Sequence, residues 1–387
     1  MVGGVRTQVV SDLESFERLA AAWDDLLETI GTRHPQLEHD WLAAWWRHFG
    51  ASDRVRVVLL WRDDRLVAAL PLRHARARVA GVPVRELRLL ENNETTRGPV
   101  LMARDDADAA RTLMAAVMAQ PGWDRLYWRN LADPEGAPRL LAGAARQAGL
   151  LATVSQDLMV PVLPLAATWE EFVRSLPRGR RRDMRRARNR AQKRGGYRVI
   201  IHQSAGAELE AALGVIRRLA EASWQHTEAG TSVVSRPDFW AFYRDISGRA
   251  AREGRLLLAI SEVAGEPAGF DLALRSGDTV YLLKTGFDPR FRACAPGRLQ
   301  VIALMRHSVE TGGRVLDFMG MAEDFKEHWG CQICPQVMLI ATRRRLLPMT
   351  AHLLRHIAAP ALARTAPLAP VVRWLRGRGG LASQRHR

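Results

Sequence analysis

The chain has 387 residues, 47% of them apolar and 25% charged, with a formal net charge of +16. That is more chain than one ordinary core uses, and the apolar share excludes global disorder. No run approaches the roughly 20 apolar residues of a membrane-spanning helix, and Met1 to Ser11 lacks the apolar stretch of a secretory signal, so the expected compartment is the cytoplasm.

From the N-terminus, Leu13, Phe16, Leu19, Ala20, Trp23, Leu26 and Leu27 repeat at helical spacing, which predicts a helix over 13–27 opened by a capping box of Ser11 and Glu14. A second helix follows over 40–49, stopped by Gly50, with Trp41, Trp45 and Trp46 expected in a core. Segments 54–61 and 65–71 flank Asp63-Asp64 and predict a strand hairpin. Strands at 86–90 and 125–129, separated by a helix over 108–119, complete a mixed α/β domain expected to span 1–160.

The second domain, expected over 161–345, repeats that outline. A helix at 169–176 leads into residues 174–194, which carry eleven Lys/Arg against one acid. A strand at 197–202, helices at 207–228 and 236–252, strands at 256–262, 266–275 and 279–285, a helix at 296–310 and a strand at 314–319 follow. Cys331 and Cys334 form a C-x-x-C with only His328 near in sequence, too few ligands for zinc, so two small core residues and no metal are expected. Residues 328–387 hold ten Arg and no acid, punctuated by Pro348, Pro360, Pro367 and Pro370. With the segment 174–194, this tail accounts for the whole basic excess, and its Arg- and Trp-bearing amphipathic pieces suit an anionic membrane surface through 343–387, or a solubilising tail over 346–387.

The stretch from Tyr281 to Leu299 carries the chemistry. A strand ends at Thr285, a loop with Arg290 and Arg292 follows, and a helix opens at Pro296-Gly297-Arg298-Leu299. Proline at a helix start wastes no donor, glycine admits another group close to the backbone, and free amides beside Arg292 and Arg298 can hold a diphosphate. Acyl transfer to an amine also needs a base, a donor that polarises the carbonyl and a group that protonates the leaving thiolate. Asp317 at a strand end and His226 are candidate bases; Tyr281 and Lys284, set about apolar Leu282 and Leu283, are further catalytic candidates, and Lys284 could polarise the carbonyl or orient an anionic group. Each also has a plainer reading: a loop cap for Asp317, a surface histidine for His226, a solvent-facing strand position for Lys284.

The chain here resembles the GNAT superfamily, specifically the cellulose- and exopolysaccharide-associated (CelD-like) acetyltransferase-like group, which is related to FemAB transferases. The resemblance rests on Arg181-Arg182-Asp-Met-Arg185-Arg186-Ala-Arg188, Ser223-Trp224-Gln225 with Gly230-Thr231, Gly286-Phe287-Asp288-Pro289, Pro296-Gly297-Arg298-Leu299, and Asp317-Phe318-Met319-Gly320 with Phe325-Lys326-Glu327-His328-Trp329-Gly330. Gln225 and Phe325 depart from the group's usual Lys and Tyr. The resemblance implies an α/β chain of two tandem GNAT-like domains, each with a mixed, largely antiparallel sheet flanked by helices. It implies acyl-CoA bound by the second domain, an amine acceptor on a lipid or saccharide, and Trp224, Lys326 and Trp329 as substrate or packing residues. FemAB relatives use aminoacyl-tRNA, but no aromatic lies between Phe172 and Tyr197 to stack a base, which disfavours nucleic acid. A non-catalytic scaffold in envelope assembly is the third class in view.

Overall fold

In the computed structural model the described residues are 4–50, 54–79, 81–92, 95–223, 232–320 and 329–344. They form two compact units, one of residues 4–32, 36–158 and 335–344 and the other of residues 33–35 and 159–334. Each is a mixed sheet flanked by helices, so the chain is α/β.

In the first unit, β1 (Val5–Val10) leads into helices α1 (Leu13–Glu17), α2 (Ala20–Thr29) and α3 (His39–Phe49). The predicted single helix over 13–27 is two helices, and its cap is Asp12, whose carboxylate accepts from the Ser15 amide at 2.8 Å, in place of Ser11. Asp12 is the residue immediately outside the first turn, where a short acceptor reaches back to an orphan amide. Strands β2 (Val55–Arg62), β3 (Arg65–Val79) and β4 (Val82–Leu89) form an antiparallel meander. Its first hairpin turns through left-handed Asp63 and Asp64, which matches the strand twist. A two-residue strand β5 (Leu101–Met102) precedes helix α4 (Ala107–Ala119); β6 (Arg125–Leu131) then runs parallel to β4, followed by α5 (Ala137–Gln147) and β7 (Leu151–Pro164). Trp123, Trp128 and Leu113 are fully buried against the sheet in this unit's core.

The second unit repeats the order. Helices α6 (Trp169–Ser175) and α7 (Arg178–Lys193) precede β8 (Tyr197–His202), two helices α8 (Ala207–Ala222) and α9 (Pro237–Arg252), and a meander of β9 (Leu256–Val263), β10 (Glu266–Ser276) and β11 (Thr279–Phe287). A 3-10 segment, Pro289–Cys294, leads into helix α10 (Pro296–Glu310), and β12 (Val315–Asp317) returns parallel to β11. The sheet order here is β7-β12-β11-β10-β9-β8. Leu304 and Met305 of α10, with Leu163, Leu282 and Leu316 beneath them, are buried together. The last strand, β13 (Gln332–Thr342), pairs antiparallel with β6 from Val337 onward, so residues from 335 on lie in the first unit, where the sequence reading ran the second domain to 345. Cys331 packs against the core of the second unit, but Cys334 is exposed on β13, against the expectation of two core cysteines: the first residues of that strand have an open face.

Candidate functional site

Antiparallel pairing holds β10 and β11 together, but the register slips at Leu272/Ala273, so that Leu272 faces Lys284 and Ala273 faces Leu282. Leu283 is therefore an extra residue on β11, a bulge. Strand side chains alternate between faces, and without the bulge Tyr281 and Lys284 would point to opposite faces. With it, both lie opposite partners on one face of β10, Leu274 and Leu272. Across the parallel pair, Tyr281 is in register with Asp317, the last residue of β12, and Leu316 beside it is buried in the core under α10. Tyr281, Lys284 and Asp317 thus share the sheet face opposite α10. Beyond the Tyr281–Asp317 pair β12 stops while β11 continues to Phe287, and the two strands part as a fork.

Around the fork, the Tyr281 hydroxyl donates to the Arg33 carbonyl at 2.7 Å, and its ring meets His34 edge-on at 4.6 Å. The Lys284 ammonium sits 5.5 Å from the ring centre of Tyr243 on α9. Asp317 accepts the Met319 amide at 2.7 Å, so one carboxylate oxygen does cap the left-handed turn that follows, as its plainer reading had it. His226, Trp224 and Lys326 lie outside the described residues.

Just past the C-terminal end of β11, Asp288 caps the 3-10 segment through the Arg290 amide at 2.9 Å and also takes the Arg290 guanidinium at 2.8 Å. Phe291 and Cys294 are buried, while Arg292 is exposed. Ala295 is left-handed, with φ 53° and ψ 55°, and has no side chain that could cap α10. Of the amides opening α10, only part is free, fewer than the sequence suggests. Pro296 has none, and those of Arg298 and Leu299 turn back to the Ala295 carbonyl at 3.0 and 3.3 Å. The Gly297 amide alone keeps no backbone acceptor among the described residues. A side chain at Gly297 would meet nothing nearer than Gln300 Oε1 at 3.8 Å, so the fold itself leaves this approach open. Pro296 and Leu299 are buried; Gly297 and Arg298 are half-buried.

Cations gather at that opening. Burial, and then the neighbouring Arg298, lower the pKa of Arg180, against the opposing pull of Asp183, so two guanidiniums feel one another at this opening. Arg180 lies 5.1 Å over the ring of Trp329, which is itself buried in the core of this unit. The equivalent helix of the first unit, α4, is built differently. There Asp106 accepts the Ala109 amide at 2.8 Å, a carboxylate placed where an anion would sit. In α10 that position is empty of negative charge.

Two buried polar groups were not anticipated. Asp271 on β10 is fully buried, faces Thr285 across the strand pair, and has neither carboxylate oxygen in hydrogen-bond geometry with a donor. Burial pushes its carboxyl up to about 7, with Thr285 pulling weakly the other way. Gln300 of α10 is equally buried with both amide atoms unpaired, and it lies so close to Gly269 that a Cβ there would stand 2.8 Å from its Oε1. The sequence signal for Asp271 is a lone acid in the apolar run from Ala268 to Leu274.

Residues 178–327 match the family of acetyltransferase (GNAT) domains, and the second unit has the GNAT acyltransferase fold. Among solved structures, FemX aligns with a TM-score of 0.61 at 12% identity, over 90% of this chain and 99% of that one. A conserved protein of unknown function from Bacteroides thetaiotaomicron aligns with a TM-score of 0.52 at 10% identity, over 88% and 100%. L-PGS from Bacillus licheniformis gives 0.51 at 12% identity, over 86% and 94%. At these identities the likeness is one of fold. No curated protein matches the chain.

Proposed function

We propose that the chain is an acyl-CoA-dependent N-acyltransferase, with the donor held by the second unit and a primary amine on a lipid, such as a sphingoid-type base, or on a saccharide as acceptor. The observation that carries this reading is the contrast between the two corresponding helix starts: Asp106 fills the first, whereas the second is left uncapped at Ala295 and is flanked by Arg180, Arg292 and Arg298. A diphosphate suits such a place, because it completes the orphan amide of Gly297 and separates two repelling guanidiniums. Pro296 and Leu299 support that turn from below.

From there a pantetheine arm would run along β11 toward the fork. The amine nitrogen attacks the thioester carbonyl, Asp317 takes the ammonium proton, and the carbon–sulfur bond breaks to release CoA thiolate, which is then protonated. Lys284 is the cation beside the developing oxyanion, and Tyr281, with its hydroxyl proton engaged by the Arg33 carbonyl, positions the strand end. His226, Trp224 and Lys326 remain candidates for the acceptor side, as does Trp329 through the Arg180 that covers it. In this reading the protein works in the cytoplasm, peripheral to the inner face of the membrane, in lipid or polysaccharide synthesis, and residues 343–387 contribute to that attachment. The grouping with the cellulose- and exopolysaccharide-associated enzymes belongs to the same proposal.

The test is thiol release from acetyl-CoA and a long-chain acyl-CoA in the presence of amine acceptors. Amine-dependent release that falls at least a hundredfold in Asp317→Asn and Lys284→Met supports the reading. Binding of no CoA thioester would remove it, and binding of aminoacyl-tRNA instead would favour the aminoacyl-transferase alternative.

A further inference from the structure

Helix α7 buries Ala187 and Ala191 against the 3-10 segment and turns a second stripe, Arg181, Arg185 and Arg188, along its flank. That stripe, with Arg178 and Arg182, borders a cavity of about 930 Å³ whose opposite wall is α10 and whose far end carries Arg306. None of these five α7 arginines has a carboxylate partner among the described residues, and Arg306 is the one wall guanidinium matched, by Glu310 at 2.7 Å. Between the arginines the surface is apolar, made by Trp169, Val199, Leu299 and Ile302 among others. Like charges held around one hollow are costly unless an anion joins them, and an aliphatic floor is costly to leave in water.

These two halves specify one ligand class. An inorganic phosphate would leave the floor bare, and a nucleic acid would track along a groove and stack on a series of aromatics, of which the described lining holds only Trp169 and Tyr197. The volume lies within the roughly 300–1,000 Å³ of small-molecule sites. The diphosphate site proposed above lies at Gly297, whereas this hollow runs beside α10 from Leu299 to Arg306. We propose that the cavity seats an anionic phospholipid, its phosphate on the arginine stripe and one acyl chain along the α10 floor, and so docks the second unit on an anionic bilayer. This does not rest on the transfer chemistry.

The test uses the full chain and monomeric lysophosphatidylglycerol in titration calorimetry, with flotation on vesicles of phosphatidylcholine alone or mixed 7:3 with phosphatidylglycerol. Arg181→Ala/Arg185→Ala should weaken lysophosphatidylglycerol about 25-fold, fivefold per arginine, which corresponds to about 1 kcal/mol each. Ile302→Trp, which fills the floor without changing charge, should weaken it at least tenfold, and lysophosphatidylcholine should bind at least tenfold less tightly than the glycerol lipid. Ala303→Phe on the same wall repeats the filling test if the tryptophan variant melts early, and the arginine pair decides if both do. Affinity unchanged by the filled floor would overturn the proposal, as would equal binding of the zwitterionic lipid. Displacement of the lipid by tRNA or by acyl-CoA at one-to-one stoichiometry would give the cavity to that ligand and overturn it too.

Discussion

Replacing Asp271 by Asn should change how stability depends on pH. The carboxyl ordinarily titrates near 3.8 and is raised to about 7 in the fold, because burial penalises its charged form more than Thr285 offsets. Between those values the folded state holds a proton that the unfolded chain has lost, so stability falls as pH rises through about 4 to 7 and levels off above. Raising the carboxyl from 3.8 to about 7 corresponds to roughly 4 kcal/mol in full, of which about 3 kcal/mol falls between pH 5 and pH 8. Asn keeps the shape and cannot ionise, so the variant should lose this component and gain on the wild type as pH rises. Urea unfolding at pH 5 and pH 8, followed by amide exchange of β10 to isolate the second unit, measures it. An unchanged pH slope in Asp271→Asn, or a variant less stable than wild type at pH 8, would refute the reasoning.

Glu91 is the same kind of group in the first unit, buried and pushed up to about 7 despite Arg129, Arg88 and Arg73; Glu91→Gln should flatten the remaining pH dependence between pH 5 and 8, read by exchange in β4. Leu304→Ala, at a fully buried site on the core face of α10, should cost about 2–5 kcal/mol in urea unfolding. Gly297→Ala should leave the melting temperature unchanged or slightly higher, since a Cβ has room there, while raising KM for the CoA thioester in a thiol-release assay.

Much of the second unit was legible in its sequence. The alternation across 256–285 and the proline and glycine at 296–297 mark the meander and the helix start, and both lie where the pattern places them. The bulge at Leu283 was not legible, because period-two reading assumes an unbroken register, and it is the bulge that puts Lys284 on the face of Tyr281. Nor was the backward capping by the Ala295 carbonyl, since an alanine in the left-handed region is not marked by residue type. His34 reached Tyr281 from far along the chain, a contact of fold and not of spacing. Trp169 and Tyr197, which flank the arginine run in sequence, both line the cavity beside it, a juxtaposition of fold and not of spacing.

The most direct measurement concerns Ala295. Placing a carboxylate there copies the charge that Asp106 sets at α4, and at about 6 Å from a bound phosphate with an effective dielectric of ~20 the repulsion is about 3 kcal/mol per unit charge. Calorimetric titration of acetyl-CoA into Ala295→Asp and the neutral isostere Ala295→Asn compares the two, and both residues tolerate the left-handed backbone. The account expects affinity to fall on the order of a hundredfold in the aspartate variant and by less than threefold in the asparagine variant. Equal affinity in both variants would contradict it.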